Sequence, residues 1–421
     1  MRRLGAIAVA LACAASAWGT GAAAADPVPG PGITLTRVGD WYDAVPDDLM
    51  AVDAGGTRYA STFGSPGTYR THAPGGTWSA PRTLPRGLST YGLHLAAGRT
   101  GTALAAYAGP GHGSERYLAA QVRRTTGSWT TPFRLSTKTV NTDFEPQALG
   151  NADGDYAVVW SERPRAGGAR SQVKVGVYLR GDRWRVYPVG PGSGFIAGMD
   201  SAGAVYVTRT YTPSGGLPTL VQRTKRPGRA MSVAKSFGVE PEMGWNYYVE
   251  ATGRQTVVLN DDTDARVLRQ ETVGGAFRQV WRKEHVWVEV AVGGSRLQVA
   301  WRDQDPGQAP VPSETWTQVL RPAVKPVVPL GQTTSAELAM DRFGRGIIIF
   351  RDGQLSGRTF QDGVLGEPFV IADRGSADWH GWTAAEGHLL DVTVCTNCGL
   401  LPEEGGGPPF EFAIYATQTK S

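Results

Sequence analysis

The sequence is short of cysteine, of helical hydrophobic spacing, of clustered charge and of a second long apolar run. Each shortage removes a class of protein. Only 3 of 421 residues are Cys, and Cys13 falls in the leader, so a disulfide-rich scaffold is excluded. Charged residues make up 19%, and half of the formal net charge of +4 comes from Arg2 and Arg3 at the extreme N-terminus. A chain so near balance, with no basic run, is not built for nucleic acid. After the N-terminal segment no stretch is long and apolar enough to span a bilayer, so no transmembrane segment is expected.

The signatures of common enzymes are missing as well. There is no Gly-x-Ser-x-Gly, no His-Glu-x-x-His and no P-loop. Ser171–Lys174 and Ser232–Lys235 match Ser-x-x-Lys but lie in predicted strands without companion motifs. Gly192-Ser193-Gly194-Phe195-Ile196-Ala197 spells a dinucleotide fingerprint, yet a strand follows where a helix is required.

What is abundant is turn chemistry: 56 Gly and 28 Pro. Residues 1–25 have the anatomy of a secretory signal. Arg2-Arg3 form the positive end, Leu4 to Trp18 the apolar core, and Ala23-Ala24-Ala25 the small residues before a cleavage ahead of Asp26. The expectation is a secreted, extracellular protein with one domain over 26–421.

That domain is a repeat. A turn-closing glycine followed by a β-rich run recurs at Gly56, Gly101, Gly154, Gly203, Gly253, Gly294, Gly344 and Gly387. Asp53, Asn151, Asp200, Glu250 and Asp341 stand three residues before their glycines, the pattern of a type I turn with a bulge, which is a hairpin signal. A half-apolar segment precedes each glycine and a hydrophobic strand follows it, as in Tyr156-Ala157-Val158-Val159-Trp160. An alternating third strand comes next (Val173 to Leu179), and a Gly-containing turn leads to an aromatic start for the fourth (Trp78, Trp129, Trp184, Phe277).

Four strands per ~40–50 residues, without helical spacing, predict propeller blades. The last unit supplies three strands, and Ile33-Thr34-Leu35-Thr36-Arg37 stands unpartnered before the first. Joining the two hides an exposed sheet edge. The expectation is an all-β, eight-bladed β-propeller of four-stranded antiparallel blades closed by an N-terminal strand, with seven blades as the alternative. The recurring turn–strand–turn–Trp pattern resembles the secreted bacterial propellers of the sialidase-like superfamily over the whole mature chain. Their Asp-box, Ser/Thr-x-Asp-x-Gly-x-x-aromatic, is absent, so the resemblance implies fold and carries no activity across.

Candidate site residues gather in the connections between predicted blades, which share one face. Glu145, Glu242, Glu337 and Asp378 are acidic there, and Trp245, Tyr247, Trp287, Trp379, His380 and Trp382 add aromatic and imidazole rings. Such a mouth suits a hydroxyl-rich ligand, a cation or a basic peptide; the alternative is carboxylates capping turns and aromatics wedged between blades. Arg209, Arg302 and Arg351 end second strands on that face and could clamp a carboxylate, against simple Arg–Asp pairing within each hairpin. Asn260, Asp262, Asp264 and Glu271 imitate the spacing of a Ca²⁺ loop, although Ala265 stands where Gly belongs. Calcium is the one cofactor the sequence raises. Cys395 and Cys398 are expected to form a local disulfide, since a zinc site would need two more ligands.

Two functions follow. The first is a non-catalytic, monomeric exported protein binding an extracellular glycan or protein through loops on one face. The second is a sialidase-like glycoside hydrolase or polysaccharide lyase using two of the four carboxylates.

Overall fold

The computed structural model describes residues 33–419 except 42–49, 63–67, 86–90, 111–115, 137–145, 163–170, 180–182, 193, 214–215, 238–243, 261–263, 294, 304–312, 341–343, 352–354, 362–363, 373–376, 385–389 and 397–411. Over 33–41, from 371 onward, and at a few strand ends including Arg351, it describes the backbone path alone.

The repeat pattern folds into four-stranded antiparallel sheets, each a simple meander. Seven sheets are contiguous in the chain, beginning at Met50, Tyr91, Gln147, Phe195, Gly244, Val286 and Ser335. An eighth is assembled from both ends: Ala377–Ala384, Leu390–Thr396 and Phe412–Thr419, with Ile33–Trp41 as its outer strand. Ile33 stands opposite Thr419 and Trp41 opposite Phe412. The expected closing strand is thus present, and it runs past Arg37 to Trp41. First strands of successive sheets lie beside one another, except that the first strand of the sixth sheet lies against the second and third strands of the fifth, and that of the eighth sheet touches those of both the first and the seventh. The ring is closed, with first strands innermost. The chain is a β-propeller.

Much of the irregularity lies in the outer strands. The outer strands of the first, second and fourth blades are only two residues long, Arg82–Thr83, Phe133–Arg134 and Lys235–Ser236. Pro81 and Pro132 precede two of them, and Pro cannot donate to a ladder. In the sixth and seventh blades the register shifts at Thr315/Trp316, Leu355/Ser356 and Arg358/Phe360.

The core lies between blades. Trp160 is fully buried among Leu104, Leu118, Leu135 and Val158, joining the second blade to the third. The face where inner strands end is tied by the hairpin turns. Asp53 Oδ1 accepts from the Gly55 and Thr57 amides, and its Oδ2 accepts from Tyr59 at 3.1 Å and from the Gly101 amide of the next blade at 2.7 Å. Asp200 repeats the arrangement with Ala202, Ala204 and Tyr206, and the Asn151 amide reaches the carbonyls of Asp200 and Ser201. Gly253 closes one such turn at φ 82°, and a Cβ there would lie 2.7 Å from the Tyr206 hydroxyl of the preceding blade. The turn residues read from the sequence therefore do two jobs: they shape hairpins and they join blades.

Candidate functional site

The inner wall of the fifth to seventh blades gathers the residues most unlike a propeller core. Along Val286–Gly293 the side chains alternate: Val286, Val288 and Val290 pack on Val258 and Val267 of the fifth blade. Trp287 and Glu289 therefore lie together on the opposite side. The Trp287 indole N–H donates to Glu289 Oε1 at 2.8 Å. Arg302 stands directly opposite Trp287 on the neighbouring strand, hence on the same side.

The electrostatics tie in two further blades. Burial raises the Glu289 carboxyl above the usual range, against the opposing pull of the Trp287 donor and of Arg302. Burial correspondingly lowers Arg302, with Glu289 acting the other way. The Tyr248 phenol, on the inner strand of the fifth blade, is raised by burial and further by the charges of Glu289 and of Glu337 in the seventh. The Tyr248 phenol, packed against the core of the fifth and sixth blades, is thus within electrostatic reach of both Glu289 and Glu337, and Glu289 is within reach of Trp287 and Arg302. An aromatic face beside mixed donors and acceptors is the chemistry that grips a sugar ring.

Of the sequence-predicted residues, Trp287, Arg302 and Glu337 come together here. Glu289 and Tyr248 were missed. Their signal was strand parity: Glu289 lies two residues after Trp287, and Tyr248 one residue after Tyr247. Parity also corrects two assignments. Tyr247 is buried, its hydroxyl accepting from Gln222 at 2.6 Å, and Trp245 packs half-buried on the same core between the fourth and fifth blades. These two rings wedge between blades.

The arginine trio is not assembled among the described residues. Arg302 faces Glu289, and no Arg302–Asp303 pair is formed either. Arg209 is buried between the third and fourth blades, donating to the Pro191 carbonyl and lying over the Tyr211 ring. Arg351 ends the second strand of the seventh blade, opposite Ser335.

The calcium set is corrected by distance. Asp264 begins and Glu271 follows the seven-residue strand Asp264–Gln270, so roughly 20 Å of extended chain separates them. Asn260 instead clamps the backbone of Val288, accepting from its amide at 3.0 Å and donating to its carbonyl at 3.1 Å. Asp264 accepts from Arg282 at 2.6 Å, and Glu271 pairs with Arg321 at 3.3 Å. No group of three metal-ligating side chains occurs among the described residues.

Asp378, Trp379, His380 and Trp382 fall on the inner strand of the eighth blade, whose register shifts between Trp379 and Trp382. Cys395 lies on the next strand, opposite Ile414 and Asp378. Glu145, Glu242, Asp262 and Cys398 lie outside the described residues.

No protein-family model matches the chain. No curated protein matches it either. Solved structures do. A prolyl endopeptidase aligns at TM-score 0.49 and 13% identity over 88% of this chain, which spans 56% of that enzyme's length. The propeller domain of the trilobed protease from Pyrococcus furiosus aligns at TM-score 0.46 and 8% identity, covering 77% of this chain and 93% of that one. A polysaccharide lyase, Uly1, aligns at TM-score 0.45 and 9% identity over 90% and 92% of the two chains.

Proposed function

We propose that this propeller is an exported glycan-binding protein that grips its ligand at the inner wall of the fifth to seventh blades. The observation that carries the reading is the fixed pair of Trp287 and Glu289 with Arg302 opposite. The indole N–H is held by the carboxylate, so the ring is oriented before a ligand arrives. Glu289 and Glu337 are acceptors for sugar hydroxyls, Arg302 is a donor, and Tyr248 serves as either. Residues 1–25 act as the leader, and Cys395 with Cys398 forms a disulfide in the mature, monomeric protein.

A glycan array probed with the mature protein, with and without chelator, tests the reading. Binding is expected to survive chelation and to weaken about tenfold or more in Trp287→Ala, the loss of one stacked ring. Binding to no glycan on the array overturns it.

One observation favours an enzyme instead. Glu289 is raised, as a general acid must be, and shares the Tyr248 phenol with a second carboxylate, Glu337. Incubating each bound glycan with the protein separates the two readings. Intact glycan is expected; new reducing ends or unsaturated sugars that vanish in Glu289→Gln would establish hydrolysis or elimination.

A further inference from the structure

The seam between the third and fourth blades contains a set of cations that no carboxylate meets among the described residues. Arg209 and Arg223 lie on neighbouring strands, Val205–Tyr211 and Thr219–Lys225, where Val207 pairs with Arg223 and Arg209 with Val221. That register sets the two arginines diagonally on one side of the sheet, together with Lys225. Val205 and Val207, on the same side, pack against Val173, Val175 and Val189 of the third blade, so this side faces the seam.

Two of the cations are enclosed. Arg209 is 5% exposed and Lys225 3%. Lys225 Nζ sits 4.7 Å over the Tyr187 ring of the third blade and donates to the Arg226 carbonyl. Burial, then the charge of Arg223, lowers Arg209. The Nε atoms of both arginines are buried without a hydrogen-bond partner. Neither arginine, nor Lys225, forms an ion pair among the described residues.

The backbone is shaped around this arrangement. Gly190 has φ 141°, and a Cβ there would lie 2.7 Å from an Arg209 Nη atom. A larger residue would push the guanidinium away. The buried Arg209 and the half-buried Arg223 repel, and leaving their buried Nε donors unmet is costly; a bound anion answers both. Arg223 is only half-buried and leaves an approach from solvent.

We propose that this seam binds an oxyanion, the sulfate or carboxylate group of an acidic sugar, through Arg209 and Arg223. The sugar as carrier rests on the glycan-binding reading; the anion site rests on the seam residues alone. The guanidinium fork matches the paired oxygens of either group.

Thermal melting and calorimetry of the full mature chain test the site, with sodium sulfate as probe and sodium chloride at equal ionic strength as control. Sulfate is expected to raise the melting temperature saturably where chloride does not. Arg223→Gln should fold and lose about tenfold in sulfate affinity, one charge-assisted contact. Trp287→Ala should keep the sulfate response, so the fate of the channel site is read separately. Equal responses to sulfate and chloride, or an undiminished sulfate response in Arg223→Gln, overturn the proposal. If Arg223→Gln does not fold, Arg223→Lys keeps the charge without the fork; weaker sulfate binding supports the site and unchanged binding overturns it. A sulfated tetrasaccharide and its desulfated form address the carrier. Tighter binding of the sulfated form than of inorganic sulfate supports a sugar-borne anion, whereas binding of inorganic sulfate alone overturns that part.

Discussion

Trp287 and Glu289 form a hydrogen bond between residues i and i+2 of one inner strand, and the chain uses the same device elsewhere. Trp160 donates to Glu162 at 3.2 Å in the third blade, and Lys174, opposite Trp160, closes on that carboxylate as an ion pair. The two copies differ in what completes them. Glu162 has a lysine in direct contact, whereas Glu289 has Arg302 close by without a direct bond and is raised by burial. The first copy carries its countercharge in direct contact, and the second does not.

The raised Glu289 has a measurable consequence. A carboxyl raised above its ordinary 4.5 binds its proton more tightly folded than unfolded. Its contribution to stability is fully present below 4.5 and is lost as pH rises through the folded value. Glu289→Gln should therefore flatten the fall in melting temperature across that window and melt higher than the parent at neutral pH. Glu250 is raised in the same direction, so some slope should persist. Identical pH profiles for parent and variant would show that the Glu289 proton is not linked to folding.

His72 works with the opposite sign. Arg58 Nη1 lies 3.2 Å from His72 Nδ1, and a guanidinium only donates, so the ring nitrogen must stay unprotonated. Burial, then the Arg58 charge, lowers the imidazole below 6.5. Stability is full above 6.5 and is lost as pH falls from there toward the folded value. Denaturant melts of parent and His72→Gln across that range are the check. The parent should lose stability that the variant retains, and parallel losses would contradict the arrangement.

Trp160 carries the packing prediction. It is fully buried and touches the Gly176 position, where even a Cβ would come 3.3 Å from its ring. Trp160→Ala should lower stability by ~3–5 kcal/mol, as other large-to-small core changes do. Unchanged denaturant midpoints would show that the seam between the second and third blades does not depend on the ring.

Removing the closing strand gives the last prediction. A protein beginning at Tyr42 lacks the partner of Phe412–Thr419 and exposes that edge. It should melt well below the parent or associate. A monomer that melts with the parent would mean the eighth sheet holds without its outer strand.

How much of this was legible depended on what each residue type reports. Glycines three residues after Asp or Asn, as at Gly56, Gly154 and Gly203, report hairpins, and the recurring turn glycine followed by a hydrophobic strand located the blades. The leftover strand Ile33 to Arg37 reported closure because nothing near it could pair. Trp160 ended an apolar run in mid-sheet and read as core. The aromatics Trp245, Tyr247 and Tyr248 were harder. Aromatic side chains on both faces of one strand cancel the alternation, so the sequence could not say which ring met the core shared with the fourth blade and which the core shared with the sixth. The carboxylates failed for a different reason. Asp264 and Glu271 are near in sequence, but an intervening strand turns that nearness into distance.

The pairing of Ile33–Trp41 with Phe412–Thr419 also imposes an order in time. A chain made from its N-terminus presents the closing strand first and its partner last. Until the final blade exists, the first strand has nothing to pair with, while the seven contiguous blades can form in sequence. The longest-range strand pairing among the described residues is thus the last one available, and the part-made ring passes through a stage with two open sheet edges. A helper that covers a bare edge, or rapid delivery of the C-terminal residues, should therefore raise the yield of folded protein more than any change within a single blade.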